Sequence, residues 1–194
     1  MNCVRLTVSK KSSLAVVAKK ANKQTIWGQM ALSGVKADQA CIEVFSKQKL
    51  GTKNKKWITW VSYKISDNGK LIEVEYIVTK SGRRLAPKEE KLDDREEMAP
   101  RELWDMFRAR LPANDCRYYT YDFSFINESG FQREKLCFIT WAPDTADIKS
   151  KMLIASSKDS LKKALVGISQ EVQVSDVDEL ENYEQFGNKL MHTK

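Results

Sequence analysis

The sequence predicts an α/β fold with a central mixed sheet flanked by helices on both faces. Two observations carry this. Stretches rich in Trp, Ile, Val and Tyr come in two pairs, 56–65 with 71–79 and 116–126 with 135–141, each joined by turn residues. Segments with the 3.6-residue helical period stand before, between and after those pairs. The predicted order is helix, two strands, helix, two strands, long helix, short strand, helix. Such an order places helices over a mixed sheet.

The elements follow from local chemistry. Between Lys36 and Leu50, Cys41, Val44, Phe45 and Gln48 recur at three- and four-residue steps, with Asp38 as a cap and Gly51 as a stop. The first strand pair turns at Asp67-Asn68-Gly69, a strong hairpin signal. Residues 80–99 then become polar, with 12 of 20 residues charged, and read as a solvated loop or frayed helix outside the core. Pro100 suits the first turn of a helix marked by Leu103, Met106, Phe107 and Arg110, which stops at Leu111-Pro112. The second pair, CRYYTYDFSFI and KLCFITW, turns at Asn127-Glu128-Ser129-Gly130. The run LCFITW is almost wholly apolar, as expected of a strand buried on both faces. Glu171–Val174 is a short strand candidate. Val177, Leu180, Tyr183, Phe186 and Leu190 mark a last helix over 176–190, interrupted by Gly187.

The longest helical pattern runs from Pro143 to Gly167. At about 100° per residue, Leu153, Ile154, Leu161, Ala164 and Leu165 share one arc and form a core face. Lys151, Lys158 and Lys162 fall on nearly one line on the opposite side. Beside them lie Ile148, Met152, Ala155, Asp159 and Lys163. An exposed Met and Ile among lysines fit a partner surface. They fit equally a solvated face with scattered apolar residues, and periodicity does not separate the two.

The 194 residues carry a net charge of +7, but its location matters. Residues 1–37 hold seven of the 33 Lys and Arg and no acid, leaving 26 basic against 26 acidic residues in the remainder. The domain is neutral, so the excess is weak evidence for nucleic-acid binding, and none is expected. Residues 1–32 form a basic extension whose composition fits an organelle-targeting segment, a disordered basic arm, or sequence upstream of a start at Met30. The short run Lys53–Lys56 also fits a nuclear signal or a solvated turn. No stretch approaches the roughly 18 apolar residues that span a membrane. Cys3, Cys41, Cys116 and Cys137 lack CxxC spacing and are expected to be reduced and mostly buried.

Catalytic patterns are missing. The sequence has no phosphate-cradling GxxxxGK[ST], no GxGxxG, no HExxH and no GxSxG. Its one histidine, His192, lies near the end, so no zinc site of common type is expected. Asp122, Asp144 and Asp159 are candidate acids without a paired base or metal, and the cysteines lack a histidine partner. The expectation is a binding protein without catalysis, metal or cofactor.

Four stretches carry a family resemblance: SGVKADQACIEVF, LPANDCRYYTYDFSF, KLCFITWAPDTADIKSKM and ASSKDSLKKAL. The chain resembles the actin-depolymerising factor/cofilin family over about 130 residues, while 1–32 and the stretch around 80–99 lie outside the pattern. The resemblance implies an ADF-homology (gelsolin-like) domain over 33–194 with a charged insertion at about 80–99. It implies binding of monomeric and filamentous actin, with filament severing and depolymerisation, by a monomer located at the cytoplasmic actin cytoskeleton. By matching positions, Lys149, Lys151, Met152, Lys158, Asp159, Lys162 and Lys163 of the long helix are implied to meet actin, with Met152 as apolar anchor. Ser33, Gly34 and Val35 resemble the N-terminal actin-contacting segment, and Arg133, Lys135 and Lys189 the filament-contacting positions. Ser33 also resembles a regulatory phosphorylation site, where phosphate adds roughly −1.5 to −2 charge. Phosphoinositide headgroups are implied as competitors for Lys149, Lys151, Lys162 and Lys163.

Three departures shape what is carried over. The last helix offers only Asn188, Lys189 and His192 where the family has more charge, which weakens the filament site. The 32 residues before Ser33 bear on the phosphorylation switch. The insertion has no family role. The alternatives are a relative that mainly binds actin monomers without severing, and a lipid or nucleic-acid binder acting through the basic arm.

Overall fold

The computed structural model describes residues 34–51, 56–89 and 96–192. The arm 1–32, Ser33, most of the Lys53–Lys56 run and the centre of the charged stretch lie outside the described residues. Among the described residues seven strands form one sheet: β1 (Lys36–Ala37), β2 (Ile58–Ile65), β3 (Leu71–Thr79), β4 (Arg84–Leu85), β5 (Arg117–Ile126), β6 (Gln132–Trp141) and β7 (Gln170–Val174). Their spatial order is β1-β3-β2-β5-β6-β7, with β4 sharing the outer edge of β3. The β1–β3 and β6–β7 pairs are parallel and the other pairs antiparallel, so the sheet is mixed. Among the described residues four α-helices cover it: α1 (Gln39–Leu50), α2 (Pro100–Ala109), α3 (Ile148–Ala164) and α4 (Tyr183–Met191).

Strand alternation divides the core into two layers. On one face, Val61, Tyr63, Tyr118 and Phe138 of the sheet pack with Cys41, Val44 and Phe45 of α1 and Ile154 and Leu161 of α3. On the other, Trp60, Tyr119, Tyr121, Phe123 and Ile139 pack with Leu103, Trp104 and Phe107 of α2 and Phe186 and Leu190 of α4. The run LCFITW forms the last six residues of β6 and is buried throughout, because β5 and β7 flank it and helices cover both faces. At the first hairpin, Gly69 adopts φ 68°, which favours glycine, and Asn68 Oδ1 accepts the Lys70 N–H. Cys41, Cys116 and Cys137 are buried free thiols, and burial pushes Cys41 and Cys137 up to about 12, so both stay protonated. Cys3 lies outside the described residues.

Several boundaries differ from the sequence expectation. The first helix starts at Gln39 behind the expected Asp38 cap, which accepts the Ala40 N–H, but Lys36–Ala37 ahead of it form a strand paired with Leu71–Ile72. The long helix starts at Ile148, where Asp147 accepts from the N–H groups of Lys149 and Ser150. Pro143–Ala146 forms a preceding turn, closed by the Ala146 N–H on the Pro143 carbonyl.

The charged stretch is not wholly outside the core. Leu85 is buried, β4 pairs with β3, and Met98 packs against the α2 layer. Burial of Leu85 and partial burial of Met98 take apolar surface out of water, while the described Arg84, Lys88, Glu96 and Glu97 stay exposed.

The last helical segment is two elements. A 3₁₀ turn spans Val177–Leu180, Glu181 takes φ 59°, and Asn182 restarts the chain as α4 through a capping box with Gln185. Gly187 does not interrupt α4. It is buried, and a Cβ there would lie 3.6 Å from Phe123 Cε1 and Phe125 Cβ. That is ordinary contact, so Gly187→Ala is expected to raise stability by up to ~1 kcal/mol through helix propensity. Gly187→Leu would overfill the same space and lower it by ~1–3 kcal/mol. Urea denaturation midpoints of the two variants check this.

Candidate functional site

The α3 helix has a held side and an open side. Ile154, Ser157 and Leu161 are buried, Leu165 just beyond the end is buried, and Leu153 packs partly against the same core. The buried Tyr118 hydroxyl donates to the Ile154 carbonyl, fixing the helix to β5 by a polar bond within an apolar layer. Ser157, fully buried, donates to the Leu153 carbonyl at 2.7 Å. On the open side, Ile148 is 73% and Met152 68% exposed, one helical turn apart. Ala155, Asp159 and Lys163 continue that exposed strip, and Lys149 is also exposed.

The lysine line is not a row of free cations. Lys158 Nζ lies 2.8 Å from Glu171 Oε1, and Lys162 Nζ contacts Glu171 Oε2. One carboxylate on β7 thus clasps two lysines a turn apart on α3. These bonds hold the Glu171 carboxyl below its usual range and raise Lys162. Lys151 Nζ turns back to the Asp144 carbonyl at 3.2 Å, with the Asp144 carboxylate at 4.0 Å. In the sequence Glu171 belongs only to a short strand candidate. Nothing in its local pattern tells which helix turn it meets.

The N-terminal candidates divide. Ser33 lies outside the described residues. Gly34 is exposed, with φ 72°, just ahead of β1. Val35 corrects the expectation of a flexible surface contact, because its side chain is fully buried in the α1–α3 core layer. Burial removes its apolar surface from water, which holds the segment down at that point.

The filament candidates lie elsewhere. Arg133 and Lys135 occupy alternate positions of β6, opposite Phe125 and Phe123 of β5. Lys135 Nζ donates to the Leu190 carbonyl at 2.7 Å and pins the end of α4 to the hairpin. Arg133, Lys135 and His192 line one cleft of about 410 Å³, while Lys189 and Asn188 are exposed in the last turns of α4. Between the two basic residues, Glu134 bridges Lys56 at 2.8 Å and Lys80 at 3.2 Å. Lys135 and Leu190 belong to the α4 side of the sheet, whereas α3 lies on the other side.

The candidate acids do not assemble. Asp122 is buried on β5, where burial pushes its carboxyl up to about 6, and its near cation is Lys56 at 3.5 Å. Asp144 precedes α3 and Asp159 sits on its exposed side. Among the described residues, no cluster of His, Cys, Asp and Glu is arranged to hold a metal ion.

The geometry is thus a helix presenting apolar residues among lysines, with a second basic surface on the other side of the sheet. Residues 34–191 match the family model described as cofilin/tropomyosin-type actin-binding protein. The chain belongs to the cofilin/actin-depolymerising factor family. This cofilin-family chain is 40% identical over 152 residues to a cofilin of Yarrowia lipolytica, covering 78% of this chain and 83% of that protein. It is 35% identical over 149 residues to actophorin of Acanthamoeba castellanii, covering 77% and 90%. A solved structure of Streptomyces griseoflavus cofilin superposes with TM-score 0.61 at 32% identity, covering 83% of this chain and all of that one. The cofilin family is one of actin-binding proteins, not of enzymes.

Proposed function

We propose that this cofilin-family protein binds monomeric and filamentous actin through α3 and promotes filament depolymerisation and severing. The carrying observation is the exposed pair Ile148 and Met152 on a helix whose opposite side is buried and bonded to β5. Their apolar area fits a hydrophobic groove in the manner of a docked helix, and the lysines beside them complement an acidic rim. Gly34 lies next to β1, and the Arg133, Lys135 and Lys189 surface offers contact with a second filament subunit. Better binding to one subunit conformation than another shifts the filament toward the favoured, more fragile state. Phosphoinositide headgroups compete for Lys149, Lys151, Lys162 and Lys163, since clustered lysines attract anionic lipid. Pelleting with purified filaments, monomer titration and microscopy of single filaments test the proposal. Binding in the first two and new filament ends in the third are expected; a protein that stays in the supernatant and leaves monomers unbound overturns it.

One observation favours a second reading, in which monomer binding dominates. Lys135 is engaged by the Leu190 carbonyl, and the last turn of α4 has Lys189 as its one basic residue. Monomer binding without pelleting would select that reading.

The Glu171 clasp supplies a further prediction. A carboxylate that already holds Lys158 and Lys162 competes with acidic groups of the partner. Glu171→Gln is expected to tighten monomer binding about two- to fivefold at low salt, the range of an exposed ion pair. The gain should shrink at high ionic strength, where exposed charges are screened. Fluorescence titration at two salt concentrations reads this out, and weaker binding at low salt would mean that Glu171 positions the lysines instead.

A further inference from the structure

Across the sheet from α3 lies a cleft of about 450 Å³ that the actin reading does not use. Its walls include Glu75 and Tyr76 of β3, Arg84 of β4, Arg110 at the end of α2, and Arg117 and Tyr119 of β5. Three guanidiniums therefore face one carboxylate. Arg117 is committed: its Nε and Nη2 donate to the two Glu75 carboxylate oxygens at 3.0 and 3.3 Å, and its Nη1 donates to the Cys116 carbonyl. That bidentate pair neutralises Glu75; Arg117 Nη2 also lies 3.4 Å from the exposed Asp115 carboxylate, which offsets part of the excess charge carried by Arg84 and Arg110.

Both remaining arginines are exposed, and among the described residues neither guanidinium has a hydrogen bond or ion pair. Arg84 is nevertheless placed. Its Cζ lies 3.8 Å from the centre of the Tyr76 ring, a cation–π contact that holds the guanidinium over the ring face. Its position comes from β4, where Leu85 is buried and Arg84, one residue away, is turned outward. The charged insertion that lay outside the family pattern thus supplies one wall of the cleft.

We propose that this cleft binds the phosphate groups of a small organic phosphate, held by Arg84 and Arg110 over the tyrosine wall. Planar guanidiniums match phosphate oxygens in pairs. The pre-stacked Arg84 loses little freedom on binding. The site is separate from the α3 lysines, so the inference stands independently of the actin reading.

Isothermal titration of the full chain with pyrophosphate and, separately, with inositol 1,4,5-trisphosphate tests it. Wild type is expected to bind at least one of them. Arg84→Ala/Arg110→Ala should weaken that binding at least about tenfold, with an unchanged circular dichroism spectrum because both side chains are exposed. Lys158→Ala/Lys162→Ala should leave it intact. Tighter binding of the inositol phosphate points to a lipid headgroup as source, and tighter binding of pyrophosphate to a soluble polyphosphate; either supports the site. No binding up to about 10 mM, or equal binding by wild type and the arginine variant, overturns it.

Discussion

Lys158→Ala/Lys162→Ala is expected to lose filament pelleting almost entirely, with at least a tenfold rise in the dissociation constant, about 1.4 kcal/mol or more. Both lysines flank the exposed strip of α3 on the edge that meets Glu171 of β7, off the line of the buried Ile154, Ser157 and Leu161. Removing them subtracts two cations from the rim of the exposed Ile148 and Met152 strip and leaves the Glu171 carboxylate unneutralised there. The variant therefore exchanges attraction for repulsion toward an acidic partner. Its folding stability should change little, since an exposed ion pair contributes about 1 kcal/mol or less. Co-sedimentation together with a urea melt separates the two effects. Equal pelleting of wild type and variant with matching melts would remove α3 as the contact surface.

Trp104→Ala is expected to lower the unfolding free energy by about 3–5 kcal/mol, the range for deleting a buried Trp. Trp104 is fully buried, with ring centroids 4.5 Å from Phe186, 5.0 Å from Phe123 and 5.1 Å from Tyr121. It joins α2 to α4 across β5, and its Nε1 donates to the carbonyl of Glu181, the residue held at φ 59°. The deletion therefore removes aromatic packing and releases the turn that launches α4. A loss of this size is a large part of the 5–15 kcal/mol typical of a domain. Filament pelleting should suffer more than monomer binding, because α4 and its Lys189 lie on this side of the sheet while α3 does not. A shift below about 1 kcal/mol in denaturant titration would show that the site collapses around the smaller residue.

Much of the fold was legible because its signals are local. Asp67-Asn68-Gly69 sets a hairpin whatever surrounds it, and Asp38 caps α1 from its own first turn. The apolar run LCFITW announced a strand covered on both faces, and it is one. The core face of α3 was correct in Ile154, Leu161 and Leu165. The capping box of Asn182 and Gln185 was also written in the sequence, but the apolar spacing from Val177 to Leu190 concealed the break that Glu181 imposes. Gly187 shows the reverse case: a residue that disfavours helix locally lies within α4 because the buried Phe186 and Leu190 on either side hold the helix to the sheet.

By itself the sequence determined the mixed α/β class, the strand pairs, the two faces of α3 and, through ASSKDSLKKAL and its companion stretches, the cofilin family. Each is a matter of spacing along the chain or of a contiguous run of residues. Tertiary structure alone decided that Glu171 clasps Lys158 and Lys162, that Lys135 ties down α4, that Val35 is core, and that Leu85 leaves the charged stretch to join the sheet. These contacts join residues on different elements, and they exist only once strand register and helix rotation are fixed. A charge or a valine carries the same local pattern whether it meets water or another part of the chain; packing, set by which apolar faces must leave water together, makes that choice.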